Sequence, residues 1–259
     1  MKKNILFIGY GDLGSRLASI SKDDLVITGI SRSDKPRIIP DQYHSLDWFK
    51  NSAQKADLLK NYDCLIITLT PTSFDEAGYE KGYEEGMKLI SKLVKNISFK
   101  KSLLISSTRV YQDSEEPINE LSNINSEDFR AKSLLESEAI YSNEINSSQK
   151  TIFRLSGLYD PEMKDKIFYK QVDEFQNKLI PISANLNRLS RDQAGRIIMN
   201  FCINKTDLLL LNVSEPTVLA QERFKMLFPE KNFDDFFRID NPGKQLDISN
   251  LLKSKLLDG

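Results

Sequence analysis

Asn4-Ile-Leu-Phe-Ile-Gly9-Tyr-Gly-Asp-Leu-Gly14 is the stretch of sequence that decides the fold. Its apolar run, Ile5–Ile8, predicts a strand buried on both faces, and an amphipathic helix candidate follows the glycines. In a strand–turn–helix of this kind Gly9 permits the tight turn and Gly11 lets the backbone approach a pyrophosphate. Gly14 lets the helix pack closely on the strand. The turn therefore predicts a dinucleotide site at the helix N-terminus; the alternative is a turn with a structural role only.

The rest of the chain alternates between short apolar runs and longer amphipathic segments. The further apolar runs predict strands at Leu25–Ile30, Cys64–Leu69, Leu103–Ile105, Ile152–Leu155 and Leu208–Val213. The amphipathic segments predict helices at Leu13–Ser21, Ser52–Lys60, Glu76–Lys95, Ser126–Glu144, Lys166–Lys178, Asp192–Asn204 and Thr217–Leu227. This alternation indicates an α/β fold, a Rossmann-type doubly wound parallel sheet with a small C-terminal substrate lobe. We expect the nucleotide-binding domain to comprise residues 1–159 and 192–218, and the lobe residues 160–191 and 219–259.

Composition excludes several classes of function. The 259 residues include 36 Lys and Arg against 37 Asp and Glu, and this balance argues against binding to nucleic acid or to anionic membranes. Two cysteines in apolar runs and a single histidine indicate a reduced, cytoplasmic protein without a metal site. The N-terminal apolar run of Ile5–Ile8 is shorter than the ~7 residues that a secretory signal needs. The expected partner is a small-molecule substrate, and the expected state is a monomer or a homodimer.

The end of the second predicted strand bears on the choice of cofactor. An acidic residue there accepts a hydrogen bond from the ribose of NAD, whereas an arginine accommodates the 2′-phosphate of NADP. Arg32 stands where this strand ends, between Ser31 and Ser33, and Asp34 lies further into the loop. We therefore expect NADP, with NAD possible through Asp34; otherwise Arg32 is a solvated loop cation.

Ser106-Ser-Thr-Arg-Val-Tyr111, directly after the predicted strand Leu103–Ile105, resembles the Ser-Ser/Thr-x-x-Val-Tyr-Gly motif that ends the fifth strand of the extended short-chain dehydrogenase/reductase superfamily, the NAD(P)-dependent sugar epimerases and dehydratases. Further landmarks of that superfamily occur along the chain in the order in which the superfamily has them. They are His44-Ser-Leu-Asp47, Thr68-Leu-Thr-Pro71, Tyr83-Glu-Glu-Gly86, Arg154-Leu-Ser-Gly-Leu-Tyr-Asp-Pro161 and Asn187-Arg-Leu-Ser-Arg-Asp192. The resemblance implies an oxidoreductase or epimerase/dehydratase acting on a small polar, sugar-derived substrate.

The superfamily's catalytic Tyr-x-x-x-Lys pair is missing, because none of the nine tyrosines has a lysine four residues later. In the superfamily this pair lies on the fifth helix, which corresponds here to the predicted helix Ser126–Glu144. Anchoring that helix on Glu138 puts Arg130 at the tyrosine position and Leu134 at the lysine position. Anchoring it on Glu136 keeps Lys132 but puts an aspartate at the tyrosine position. The chain is thus similar to the atypical branch of the superfamily, and a catalytically inactive dinucleotide-binding sensor or scaffold is the alternative function.

The remaining polar residues supply the candidate site. Ser107 matches the superfamily's catalytic Ser/Thr, Tyr159 is the candidate proton donor, and Arg130 or Lys132 would stabilise an oxyanion. The expected cofactor-binding residues are Gly9, Gly11, Asp12, Leu13, Gly14, Ser31, Arg32, Ser33, Asp47, Thr68, Thr70, Pro71 and Ser106. The expected substrate-binding residues are Thr108, Arg109, Asn187 and Arg188.

Three further features have structural predictions. Gly78, Gly82 and Gly86 recur every four residues on one predicted helix, and we expect this stripe to pack within the protomer rather than at a dimer seam. Tyr111 is expected in the core. Asp192 is explained as well by an expected role as the N-cap of the helix that begins near Gln193 as by any ligand.

Overall fold

A computed structural model describes residues 1–50, 58, 61–160, 180–181, 185–204, 206–227, 229–230, 237–238 and 243–257. The helix candidates at 52–60 and 166–178, most of the predicted lobe at 160–191 and the stretch 231–236 lie outside the described residues. No helix in the described ranges combines the length and apolar character needed to cross a bilayer.

The described strands are β1 (Lys3–Ile8), β2 (Leu25–Ser31), β3 (Gln42–Ser45), β4 (Asn61–Thr68), β5 (Ser98–Ser107), β6 (Ser147–Leu155), β7 (Gly157–Tyr159), β8 (Ile180–Pro181), β9 (Asn185–Leu186), β10 (Arg188–Ser190), β11 (Leu210–Val213), β12 (Val218–Leu219) and β13 (Phe237–Arg238). The described α-helices are α1 (Asp12–Ile20), α2 (Glu76–Tyr79), α3 (Gly86–Val94), α4 (Phe129–Glu144), α5 (Arg191–Ile203), α6 (Ala220–Leu227) and α7 (Ser249–Lys253).

Seven strands form one sheet in the order β11-β6-β5-β4-β1-β2-β3, and every pair in it is parallel. The sheet confirms the α/β fold and all six strands predicted from apolar runs. Strand β1 lies between β2 and β4, so the chain order reverses beside it. In parallel sheets the crevice at such a reversal, beyond the carboxyl ends of the strands, is where ligands bind. The glycine turn stands at this point.

Side chains alternate between the two faces of the sheet and build a core on each. Ile5 and Phe7 face one core, which α1 and α5 cover, while Leu6 and Ile8 face the other, which α3 and α4 cover. Burial on both faces explains why the strands are continuous apolar runs rather than alternating ones.

The helix predicted as one segment over 76–95 is interrupted by a π-helical turn. Between α2 and α3 lie six residues, Glu80–Glu85, here called the π segment, and the N–H of Gly86 bonds the carbonyl oxygen of Lys81, five residues earlier. Nothing in the apolar spacing marks this change, because one extra residue in a turn leaves the helical pattern nearly intact.

The glycine stripe packs against the loop after β4. A Cβ at Gly78 would collide with Ser73, and one at Gly82 would stand 2.6 Å from Cα of Pro71 and 2.5 Å from the carbonyl oxygen of Thr70. Packing within the protomer is thereby confirmed. The stripe fixes the helix close to Thr70 and Pro71, two predicted cofactor residues.

Asp192 is not the N-cap of α5, so this expectation was wrong. The helix begins at Arg191, and the Oγ of Ser190 accepts the N–H of Gln193 at 3.1 Å, which makes Ser190 the cap. Asp192 lies in the first turn and forms an ion pair with Arg16 of α1. Its charge is favourable there because the N-terminus of a helix carries the positive end of the dipole.

The predicted division into a nucleotide-binding domain and a lobe stays a prediction. Among the residues assigned to the lobe, Leu251 and Leu256 are fully buried in the core on the α1 and α5 side of the sheet. The side-chain amide of Asn200 in α5 donates to the carbonyl oxygen of Leu256 at 2.9 Å. The end of the described chain is therefore attached to the main sheet.

Candidate functional site

A cavity of about 460 Å³ opens at the carboxyl ends of β1, β4, β5 and β6. It runs from the glycine turn to the start of β7, and α4 and the π segment contribute to its wall. Of the predicted site residues, those that line it are Gly9, Gly11, Asp12, Leu13, Thr68, Thr70, Ser106 and Ser107. The structure thus brings the glycine turn close to the end of β5 at Ser107, although the two are far apart in sequence.

Each glycine of the turn has its own explanation. Gly9 adopts a φ of +80°, and a Cβ there would collide with the carbonyl oxygen of Thr68. A Cβ at Gly14 would stand 2.5 Å from the ring of Tyr10. At Gly11, by contrast, a Cβ would meet nothing closer than the carbonyl oxygen of Gly9 at 3.7 Å. The protein's own packing does not need a glycine at Gly11, so the open space beside it suits a ligand that contacts the backbone.

The start of α1 carries a cluster of charges at the mouth of the cavity. Asp12 accepts bonds from Nη1 of Arg191 at 3.0 Å, from Nε of Arg16 at 3.1 Å and from Nη1 of Arg37 at 3.0 Å. Burial acts to raise the pKa of Asp12, but the bonds from Arg191 and Arg16 outweigh it and hold that pKa below its ordinary value. The negative charge of the Asp12 carboxylate, beside the glycine turn, is therefore neutralised by arginines.

The ends of β2 and β3 hold the predicted residues for the adenosine half of the cofactor. The exposed guanidinium of Arg32 lies 5.5 Å from the ring centres of both Trp48 and Phe49, a cation–π arrangement. Asp34, the candidate for recognising NAD, accepts the hydroxyl of Ser45 at 2.7 Å. Arg32 therefore presents its charge on an aromatic platform, while the Asp34 carboxylate is tied to β3.

The other residues of this region shape the loops. Ser31 Oγ accepts the N–H of Ser33 at 3.3 Å, and the hydroxyl of Tyr43 donates to the carbonyl oxygen of Ser33 at 2.5 Å. Asp47 accepts the N–H of Phe49 at 3.1 Å, which fixes one of the two rings that Arg32 contacts.

Ser107 is the predicted catalytic residue best placed for chemistry. It ends β5, and its Oγ accepts the N–H of Arg109 at 3.2 Å, so the hydroxyl hydrogen stays free to be donated. Thr108 is turned inward and contacts the carbonyl oxygen of Leu155 at 3.4 Å. Arg109 is half exposed beside Asp128 at 3.8 Å. Neither Thr108 nor Arg109 lines the cavity.

A buried polar network supports the strand end. Ser106 donates to Glu138 at 2.5 Å, and Arg154 donates to both carboxylate oxygens of Glu138 at 3.0 and 2.6 Å. Arg154 also lies 4.9 Å from the ring centre of Tyr111, whose hydroxyl donates to Asn212 at 2.8 Å. Tyr111 is fully buried, as expected. Ser106 lines the cavity, but its hydroxyl is committed to holding β5 against α4.

The inner face of α4 decides between the two alignments of the missing pair. Leu134 and Glu138 are buried, and Leu134 lines the cavity, whereas Lys132 is exposed on the outer face. Only the alignment anchored on Glu138 places the lysine position at the cavity, and that position is a leucine. Arg130, at the tyrosine position, lies 4.9 Å from the ring centre of Phe129 and does not line the cavity.

Tyr159, Asn187 and Arg188 lie in a neighbouring region. The hydroxyl of Tyr159 donates to Glu215 at 2.9 Å, and these two residues and Arg188 line a second, smaller pocket of about 40 Å³. Asn187 uses its side-chain amide to bond the carbonyl oxygen of Lys244 at 2.7 Å. The structure thus separates these three residues from Ser107.

Three residues with polar side chains that the sequence did not single out for the site also line the cavity. Tyr83 comes from the π segment, Ser156 follows β6, and Arg191 begins α5. Ser156 is 4 % exposed, and its Oγ is buried without a hydrogen-bond partner among the described residues. An orphaned hydroxyl in a cavity wall is costly unless a ligand pairs with it, so Ser156 is a fit for a bound polar group.

No protein-family model and no curated protein matches the sequence, but solved structures do. A protein from Methylobacillus flagellatus that bears the name NAD-dependent epimerase/dehydratase is 24% identical, with a TM-score of 0.69 over 98% of this chain and 92% of its own. UDP-glucuronic acid 4-epimerase from Bacillus cereus, solved with NAD, is 17% identical, with a TM-score of 0.75 over 97% and 92%. UDP-N-acetylglucosamine 4-epimerase from Methanobrevibacter ruminantium M1 is 18% identical, with a TM-score of 0.71 over 98% and 92%. The chain therefore has the Rossmann-type fold of the NAD-dependent epimerases and dehydratases.

Proposed function

We propose that this protein binds NADP and is an epimerase/dehydratase-like oxidoreductase acting on a small polar, sugar-derived substrate. One observation carries the proposal: a single cavity joins the open backbone at Gly11 to the free hydroxyl of Ser107. The fold supports it, since it is shared with proteins named as epimerases, one of them NAD-dependent by name and another solved with NAD.

The chain's own residues would hold the cofactor along this cavity. The first N–H groups of α1, which has no side-chain cap, face the pyrophosphate position, and Gly11 allows close approach. Ser156 offers its buried hydroxyl at the other end of the cavity. When bound, a nicotinamide dinucleotide supplies hydride transfer. Ser107 would donate a hydrogen bond to the oxygen on the reacting carbon of the substrate and so orient it.

The preference for NADP rests on Arg32. Its guanidinium is exposed beside the rings of Trp48 and Phe49, where a phosphate on the ribose can reach it, whereas the Asp34 carboxylate accepts a hydrogen bond from Ser45. A guanidinium pairs with phosphate through two parallel hydrogen bonds. The Asp34 carboxylate already accepts one hydrogen bond, from Ser45 on β3.

Calorimetric titration with NADPH and NADH tests this. NADPH should bind at least about tenfold more tightly, and Arg32→Ala should remove most of that difference because a charge-assisted hydrogen bond contributes about 1.5–3 kcal/mol. Lys35→Ala, in the same loop and exposed, is the matched control and should keep the preference. Equal affinity for both cofactors would refute the role of Arg32, and binding of neither would refute the proposed function.

The alternative is a dinucleotide-binding sensor or scaffold, and the inner face of α4 favours it. Leu134 stands where the superfamily's lysine would face the cavity, and Lys132 points outward. UDP-glucose, UDP-glucuronic acid and UDP-N-acetylglucosamine, incubated with oxidised and with reduced cofactor, separate the two functions. Conversion of one of these sugars, or reduction of NADP⁺ with it, supports the enzyme; tight cofactor binding without any conversion favours the sensor.

A further inference from the structure

The π segment places a tyrosine at the reactive end of the cavity. Tyr83 lies in the middle of this segment, and its neighbour Gly82 is pressed against Thr70 and Pro71. The Tyr83 ring packs beside Leu134, in the cluster that includes Val110, and it contacts Tyr79 at 5.5 Å between ring centres. Since π-helical turns are frequent at functional sites, the position calls for a chemical reason.

The Tyr83 ring is packed, while its hydroxyl has no hydrogen-bond partner among the residues that the structure describes. The residue is only partly exposed, it lines the cavity, and no hydrogen bond within the described part of the chain involves its hydroxyl. The hydroxyl of Tyr159, which the sequence favoured as proton donor, is by contrast bonded to Glu215 beside a different pocket.

Few groups in this cavity can move a proton. Among the described residues that line it, Asp12, Tyr83 and Arg191 carry titratable side chains. Asp12 and Arg191 are paired with each other at 3.0 Å at the phosphate end. Lys132 is turned outward and Leu134 has no proton to give. Among the described residues, Tyr83 therefore supplies the acidic hydroxyl in the cavity wall that also includes Ser107.

We propose that the hydroxyl of Tyr83 is the proton donor of this site, in place of the tyrosine missing from α4. This inference rests on the proposed function. As a substrate carbonyl is reduced, its carbon receives a hydride from the reduced cofactor and the π electron pair moves onto its oxygen. That oxygen takes the proton of Tyr83, and the resulting phenolate recovers a proton from water. The substrate gains two electrons and the cofactor loses them.

The surroundings of Tyr83 suit a donor rather than a base at rest. Burial and the neighbouring Tyr79 raise the pKa of Tyr83 to about 12, while the guanidinium of Arg109 acts in the opposite direction. The phenol is therefore protonated at neutral pH. Arg109, which does not line the cavity, would act as a positioning residue that stabilises the phenolate after the proton has left.

Fluorine NMR of a titratable analogue tests the assignment without a substrate. Difluorotyrosine is incorporated at position 83, where its lower pKa lets it titrate in a range the protein tolerates, and its ionisation is followed in complexes with NADP⁺ and with NADPH. The two cofactors differ in the positive charge of the nicotinamide ring. If that ring lies next to the phenol, the phenol should be about tenfold or more acidic in the NADP⁺ complex, because a unit charge a few ångströms away strongly favours the phenolate.

The matched control is difluorotyrosine at position 79. Tyr79 belongs to the same helix and contacts the Tyr83 ring but does not line the cavity, so its acidity should change at most about threefold between the two complexes. Equal acidity at position 83 in the two complexes, with both cofactors bound by calorimetry, overturns the Tyr83 assignment alone. Failure of either cofactor to bind overturns the proposed function as well.

Discussion

The two ends of the cavity are built in opposite ways. The phosphate end comes from one hexapeptide, Gly9–Gly14, in which Gly9 and Gly14 have steric reasons within the protein and Gly11 leaves open space for a ligand. The reactive end combines Ser107 of β5, Leu134 of α4 and Ser156 after β6 with Tyr83 of the π segment. The phosphate end follows a local sequence pattern closely. The reactive end departs from the superfamily that the chain resembles, at the residues most characteristic of that superfamily.

The difference teaches which part of such a site can vary. A pyrophosphate is bound by backbone N–H groups and a helix N-terminus, so the chain must keep one backbone path through Gly11. A proton donor only has to reach the reacting oxygen, and any element whose side chain lines the cavity can supply it. The three predictions below separate the scaffold of the reactive end, the backbone of the phosphate end, and the charge that stabilises it.

Glu138→Ala should have the largest effect, because it removes the scaffold of the reactive end. The pair of Glu138 and Arg154 is 7% exposed at both side chains, and without the carboxylate a buried guanidinium is left uncompensated. We expect a loss of about 3–5 kcal/mol in the free energy of unfolding, measured by urea denaturation.

Lys100→Ala is the control for this prediction. Lys100 pairs with Asp63 at 2.6 Å but is 78% exposed, so its removal should cost less than about 1 kcal/mol. If the two variants were equally stable, the Glu138 network would not be what fixes β5 and β6 under α4.

Gly9→Ala and Gly11→Ala should separate stability from binding at the phosphate end. Alanine at Gly9 would be strained by the positive φ, and its Cβ would collide with the Thr68 carbonyl oxygen. We therefore expect a loss of about 2–4 kcal/mol in the free energy of unfolding. Alanine at Gly11 meets no close protein atom, so it should cost less than about 1 kcal/mol.

The affinity for NADPH, unlike the stability, should be the more sensitive to the change at Gly11. Gly11→Ala should weaken it at least about tenfold, since a methyl group fills the space the pyrophosphate needs. Calorimetry on the folded variant measures this. Unchanged affinity would mean that the pyrophosphate does not contact Gly11.

Asp12→Asn should have a small effect on stability, with a distinctive pH dependence. The pKa of Asp12 is lower in the folded chain than in the unfolded one, so the carboxylate stabilises the fold above its unfolded pKa. This contribution is lost as the pH falls through the lowered pKa. The substitution should therefore cost about 1 kcal/mol at neutral pH and progressively less in acid. Urea denaturation across this range measures it, and a cost that does not change with pH would contradict the role given to Arg191 and Arg16.

Much of the fold and of the phosphate end could be predicted because their signals are local. Apolar runs marked six strands of the sheet, and the hexapeptide marked the turn at the point where the strand order reverses. Arg191 could not be found in this way, because it meets Asp12 across 179 residues of sequence. Tyr83 was noticed only as a landmark, since the π turn that presents it leaves no mark on the helical period.

The network of Ser106, Glu138 and Arg154 has a consequence for how the chain opens. It joins a strand, a helix and the next strand, which follow one another along the sequence, through two charges hidden from water. If α4 alone moved away, the guanidinium of Arg154 would be left unpaired against Tyr111. Local fluctuations that detach this helix are therefore suppressed. We therefore expect α4, β5 and β6 to open as one cooperative unit, so that their slowest amides share a single free energy of opening in hydrogen exchange.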